Sequence, residues 1–97
     1  RPDESAFVHR SADYLLELKA PWQTGDQQIA VKKWADALFD GLRSYISGAY
    51  VNYADPELKD WEQDYYGKNA NRLRSIKKDR DPFNVFNFAQ SIDGFNS

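Results

Sequence analysis

Tyr50-Val51-Asn52-Tyr53 is the stretch of this chain whose side chains could do chemistry. Two phenols and a carboxamide lie within four residues and run into Ala54-Asp55-Pro56, so they sit at the end of a strand-like run, just before a turn. A phenol ordinarily titrates near about 10, and it serves as a base at neutral pH only where a charge or hydrogen bond stabilises the phenolate. The same spacing also describes two core tyrosines with satisfied hydroxyls. His9 is the only histidine, and without a serine elbow motif a structural hydrogen bond suits it better than a Ser-His-Asp triad. Asp3 with Glu4, and Asp79 with Asp81, flank expected loops and helix ends and read as surface charge. Neither glycine fingerprint for phosphates is present, so the chain does not cradle a pyrophosphate by itself. There is no cysteine, hence no disulfide framework or thiolate zinc site, and no metal site is expected.

Composition narrows the partners. The net charge of −2 argues against nucleic acid, which requires a basic field. The basic run Arg72, Arg74, Lys77, Lys78, Arg80 is interrupted by Asp79 and followed by Asp81, as on a solvated helix face. No apolar run approaches the roughly 18 residues of a membrane span, so no membrane association is expected. Three Trp, six Tyr and six Phe in 97 residues are many for one small domain. They suit either a small core of large side chains or packing against another chain segment. The opening Arg-Pro-Asp-Glu-Ser, without an initiator methionine or signal peptide, reads as a piece of a longer protein.

Several elements must position these residues. Ala6–His9 and Tyr14–Lys19 are strand-like, separated by Ser11-Ala12-Asp13 turn chemistry. Strand alternation puts Tyr14, Leu16 and Leu18 on one face, with Leu15, Glu17 and Lys19 on the other. Between Thr24 and Gly48 the period becomes helical. Val31, Trp34, Leu38, Leu42 and Tyr45 fall on one stripe, Thr24 or Asp26 caps the start, and Gly48 stops the end. Ala49–Tyr53 is a third strand candidate, dense in aromatic and β-branched residues. Asp55-Pro56-Glu57 then opens a short helix with Leu58, Trp61 and Tyr65 on its stripe, and Gly67 ends it. A further helix spans about Asn69 to Asp79, closed by Asp81-Pro82. The order predicts an α+β fold, antiparallel strands backed by helices. The aromatic tail from Phe83 to Ser97, including Phe95, has no period of its own.

Read in order, Ala6-Phe7-Val8-His9-Arg10, Tyr50-Val51-Asn52-Tyr53-Ala54-Asp55 and Tyr65-Tyr66-Gly67-Lys68-Asn69 with Arg72-Leu73 resemble markers of the berberine-bridge-enzyme-like FAD-linked oxidases. Asp81-Pro82-Phe83-Asn84-Val85-Phe86 and Gln90-Ser91-Ile92 complete the set. The resemblance implies the C-terminal segment of a large, secreted flavoprotein of the vanillyl-alcohol-oxidase type. Residues 1–82 would end its substrate domain, and the tail 83–97 would pack on a FAD-binding domain outside this chain or on a companion chain. It implies oxidation of an alcohol, sugar or amine-like carbon by hydride transfer to flavin N5, with O2 as acceptor and a small molecule as substrate. Carried over by position, Tyr53 matches the catalytic base. Asn52 and Tyr50 match residues beside the cofactor ring, and Leu15 and Glu17 match substrate-facing positions. Some members have Lys or Glu where Leu15 stands and Gln where Glu17 stands. Leu15 cannot polarise a phenol, and an anion at Glu17 would raise the phenol's pKa.

Two other readings fit the composition. One is an inactive fragment or interaction module that needs a companion chain. The other is a small carbohydrate-binding module stacking sugars on Trp22, the one tryptophan outside the expected helix stripes.

Overall fold

The computed structural model of the chain describes residues 1–94, so Phe95 and the end of the expected tail lie outside the described residues. The chain divides into two compact units, one formed by Ala12–Ser47 and the other by Arg1–Ser11 with the chain from Gly48 onward.

In the Ala12–Ser47 unit the helical period is realised as α1, Gly25–Leu42, followed by a single 3-10 turn at Arg43–Tyr45. Thr24 is the N-cap, but its side chain makes no capping bond. The backbone carbonyl of Thr24 accepts the Gln27 and Gln28 amides at 3.1 and 3.3 Å, and Gln27 Oε1 reaches back to accept the Gln23 N–H at 3.0 Å. That reach-back by a Gln three residues into the helix resembles half of a capping box. Asp26 in the first turn complements the helix dipole. No residue of α1 is buried. On the expected stripe Val31, Leu38 and Leu42 are half-buried, whereas Trp34 and Tyr45 are 56% and 85% exposed. The helical period is thus realised, while Trp34 and Tyr45 do not share the burial of the stripe.

The other unit is built around two short helices, α2 at Trp61–Tyr66 and α3 at Ala70–Arg80, joined by a 3-10 turn at Gly67–Asn69. Gly67 takes φ +48°, a left-handed conformation that favours glycine, and its N–H closes α2 on the Gln63 carbonyl. The Glu62 carboxylate pairs with the Arg74 guanidinium and ties α2 to α3. The core is small: Leu58, Tyr65 and Ala70 are its buried apolar residues, with Asp64 and Asn69 buried beside them. Asn69 Nδ2 donates to the carbonyls of Pro2 and Ser5, both at 3.0 Å, and holds the first residues against this core. Gly94 lies directly on the α3 backbone, where an added Cβ would stand 2.8 Å from Lys78 N.

Two expectations are corrected. The predicted α+β fold, antiparallel strands backed by helices, is not formed: the described residues contain helices and turns and no strand. Strand identity depends on a ladder partner, and the candidate segments bond elsewhere. Arg10 N bonds back to the Val8 carbonyl, Ala49 N bonds to the Asp64 carbonyl of α2, and Val51–Tyr53 forms a 3-10 turn closed by Tyr53 N on the Tyr50 carbonyl. Tyr14, Leu15 and Leu16 are exposed on irregular chain. The helix expected to open at Pro56 begins instead at Trp61. Asp55 Oδ1 accepts the Glu57 amide at 3.0 Å, and the Leu58 amide bonds to the Asp55 carbonyl. The side-chain bond is the one an N-cap makes, but the chain after it forms only a turn before Trp61.

Candidate active site around Tyr53

The turn Val51–Tyr53 is positioned from its N-terminal side by Ala49, both of whose backbone groups are engaged. Its N–H donates to the Asp64 carbonyl at 2.9 Å, and its carbonyl accepts from His9 Nε2 at 2.8 Å. A carbonyl only accepts, so Nε2 carries the proton. This is the structural role that the sequence suggested for His9. Gly48 makes the approach possible: an added Cβ would lie 2.5 Å from His9 Cε1 and 2.9 Å from the Asp64 carbonyl oxygen. The glycine expected as a helix stop is therefore required for close packing, since α1 already ends at Leu42.

A chain of aromatic edges carries this anchoring outward. Phe7 meets His9 at 5.6 Å and Tyr50 at 5.7 Å between centroids, both edge-on. Tyr50 in turn meets Tyr53 edge-on at 5.6 Å. Pairs in this geometry are worth about 0.5–1.5 kcal/mol beyond area burial. The Arg10 guanidinium sits 5.1 Å over the Phe7 ring and donates to Ser5 Oγ at 2.6 Å. Asn52 Nδ2 donates to Tyr50 Oη at 2.9 Å, leaving the Tyr50 hydroxyl proton available to a further acceptor. The Tyr53 side chain is 61% exposed, so its phenol is open to a reactant rather than sealed in a core.

On the C-terminal side the Asp55 N–H donates to Tyr65 Oη at 2.9 Å. Tyr65 Oη donates to Gln90 Oε1 at 3.2 Å, and Gln90 Nε2 donates to the Asp55 carbonyl at 2.7 Å. Spacing placed Tyr65 on a helix stripe, where it is indeed buried, but gave no hint of what its hydroxyl bonds. Gln90 has no signal in the sequence beyond its marker motif. Burial first, and then the nearby Tyr65 and Glu62, hold the Tyr66 hydroxyl above the usual phenol range.

The structure thus brings Tyr50, Asn52 and Tyr53 together in one turn. Leu15 and Glu17 belong to the Ala12–Ser47 unit, where both are exposed and Glu17 lies 3.7 Å from Lys19 Nζ. A shallow polar depression of about 430 Å³, lined by residues of α2, α3 and the Lys59-Asp60 turn, is separate from the tyrosine turn. Among the described residues no cluster of His, Asp and Glu could hold a metal ion, and no helix is long and apolar enough to cross a membrane.

The fourth marker forms a loop organised by one carboxylate. Asp81 Oδ1 accepts the Val85 amide at 2.8 Å and Oδ2 accepts the Phe86 amide at 3.0 Å, while Lys77 Nζ bonds both Asp81 Oδ2 and the Phe86 carbonyl. Asn84 takes φ 51°. Phe83, Val85, Phe86 and Phe88 point into solvent, between 70% and 88% exposed. Lys77 first, and then the two amides, hold the Asp81 carboxyl below the usual carboxylate range. A depressed folded-state pKa stabilises the loop above the unfolded value of about 3.9 and stops doing so as pH falls through the folded value. Amide exchange at Val85 and Phe86 should therefore accelerate in acid below that window. In Asp81→Asn it should be fast at neutral pH and lack this acid step. Equal protection in both proteins at neutral pH would refute the role of the carboxylate.

Comparison with known proteins follows the same residues. Positions 49–93, from the first anchor of the turn to the residues after Gln90, match the family described as "Berberine and berberine like". The chain is 38% identical over 91 residues to the uncharacterized FAD-linked oxidoreductase YgaK of Bacillus subtilis (strain 168), covering 94% of this chain and 20% of the relative. It is 40% identical over 62 residues to the xylooligosaccharide oxidase of Thermothelomyces thermophilus, covering 62% of this chain and 12% of that protein. It is 31% identical over 109 residues to berberine bridge enzyme-like 23 of Arabidopsis thaliana, covering 92% of this chain and 20% of that protein. No solved structure matches significantly. These relatives define a class, the FAD-linked oxidoreductases. Within that class the chain belongs to the berberine-bridge-enzyme-like family, and it spans 20% of the length of the first curated relatives.

Proposed function

We propose that the chain supplies one wall of the active site of a FAD-dependent oxidoreductase that oxidises an alcohol, a sugar or an amine-like carbon, with Tyr53 as the base. The observation that carries this reading is an accessible phenol, 61% exposed, on a turn pinned at both ends to the fold. The family match over residues 49–93 supports it, as does the relative named as an oxidase of xylooligosaccharides.

The residues present fit a flavin in part. The Tyr50–Asn52–Tyr53 turn offers aromatic edges and a carboxamide suited to flank a planar ring, while the chain has no glycine-rich cradle for a pyrophosphate. FAD would be held mainly by residues outside this chain, with Asn52 and Tyr50 beside its ring. When bound, FAD supplies the hydride acceptor at N5, and O2 is the proposed final acceptor. Tyr53, in its phenolate form, would take the proton from the substrate hydroxyl while the electron pair of the carbon–hydrogen bond leaves with the hydride to the acceptor at N5. Asn52, held by Tyr50 Oη, keeps the turn's polar groups oriented. Glu17 would accept a hydrogen bond from a substrate hydroxyl, and Leu15 would give apolar contact. In this reading the protein is secreted, and Phe83, Val85, Phe86 and Phe88 face the FAD-binding domain or a companion chain.

Anaerobic mixing of the complete protein with a panel of alcohols, oligosaccharides and amines tests the reading. The expected result is loss of oxidised-flavin absorbance with at least one class, and hydrogen peroxide when air is readmitted. A colourless protein, or a bound flavin that no member of the panel reduces, would refute it.

A further inference from the structure

We infer that Tyr65 and Gln90 are positioning residues that together fix the Tyr53 phenol; this rests on the reading of Tyr53 as the base. Residues 51–53 are exposed, so the core of this chain does not set their place. Beside the edge contact of Tyr53 with Tyr50, what sets it is the pair of anchors at Ala49 and Asp55. At Asp55 both backbone groups are taken by side chains that also bond each other, closing a ring of three hydrogen bonds.

The proton directions in this ring are determined. The Asp55 N–H can only donate, so Tyr65 Oη accepts there and spends its own proton on Gln90 Oε1. That turns the Gln90 amide so that Nε2 faces the Asp55 carbonyl at 2.7 Å. Tyr65 is only 3% exposed, so its hydroxyl is a fixed reference point, and the ring ties the exposed turn to it. Losing either side chain frees one end of the peptide two residues after Tyr53. Misplacement of a reacting group by about 1 Å costs up to about a hundredfold in rate.

The test uses Tyr65→Phe and Gln90→Leu in the complete flavoprotein, both close in shape to the native side chains. Each is read in two ways: steady-state kinetics, and fluorine NMR of a fluorinated tyrosine incorporated at position 53. The inference expects a shifted or broadened resonance in both variants. It also expects kcat lowered about tenfold with KM within about twofold of wild type, since orientation rather than binding is lost. Gln90→Glu keeps the acceptor for Tyr65 but loses the donor to Asp55 and should resemble Gln90→Leu at neutral pH. It should regain the wild-type resonance once its carboxyl is protonated. An unchanged resonance in Tyr65→Phe and Gln90→Leu overturns the inference, whatever happens to kcat. A changed resonance with wild-type kcat upholds the positioning role and overturns the assignment of Tyr53 as base.

Discussion

Tyr53→Phe will slow the reduction of flavin by substrate by about 10²–10⁴-fold, the range lost when a positioned general base is removed. The amount of bound FAD should not change. The substitution keeps the ring, and with it the 5.6 Å edge contact to Tyr50, and removes only an oxygen from a side chain that is 61% exposed. An exposed hydroxyl leaves no buried partner unsatisfied, so folding stability should stay within about 0.5 kcal/mol of wild type. Rapid mixing under anaerobic conditions separates reduction from reoxidation. If Tyr53→Phe is reduced at the wild-type rate, the phenol is a bystander and the base must be sought elsewhere.

Gly48→Ala should destabilise the fold by about 1–3 kcal/mol, the usual cost of forcing atoms into a packed site. Its Cβ would stand 2.5 Å from His9 Cε1 and 2.9 Å from the Asp64 carbonyl oxygen, so something has to move. The imidazole can swing away, but it then gives up the bond to the Ala49 carbonyl, a further loss of about 1 kcal/mol. The Asp64 carbonyl is less free to move, because it belongs to α2 and holds the Ala49 amide. Gly41→Ala is the control. Nothing lies within 4 Å of its Cβ position inside α1, and relief of glycine's entropy cost should stabilise by about 0.5–1 kcal/mol. Opposite shifts of the urea midpoint are expected. Shifts of the same sign and size would mean that the gap beside His9 does not matter.

What could be read from the sequence follows from how local each signal is. The α1 period and the ends of α2 and α3 are written in contiguous residues: Val31 through Leu42 on one stripe, Gly67 at a left-handed turn, Asp81-Pro82 at a stop. His9 as a hydrogen-bonding rather than catalytic histidine was also within reach, because no nucleophile motif accompanies it. The strands were not, since a strand is defined by its partner. Ala49–Tyr53 carries β-prone residues, yet its bonds go to Asp64 on a helix and back to Tyr50. Asp55-Pro56-Glu57 carries a helix-start signal and makes the matching side-chain bond, yet only a turn follows, and α2 starts at Trp61. The hydrogen-bonding roles of Tyr65, legible only as a helix-stripe residue, and of Gln90 escape the sequence for a different reason. Their importance lies in which backbone groups they reach, across 10 and 35 residues, and no spacing rule encodes that.

The long reach of Gln90 has a temporal consequence. During synthesis the Ala49 anchor and the Asp55–Tyr65 bond become possible as soon as α2 leaves the ribosome. The brace from Gln90 must wait for 25 residues beyond Tyr65. The nascent turn is therefore tethered first and stiffened last, and a chain that stalls before residue 90 would carry the phenol without its final restraint.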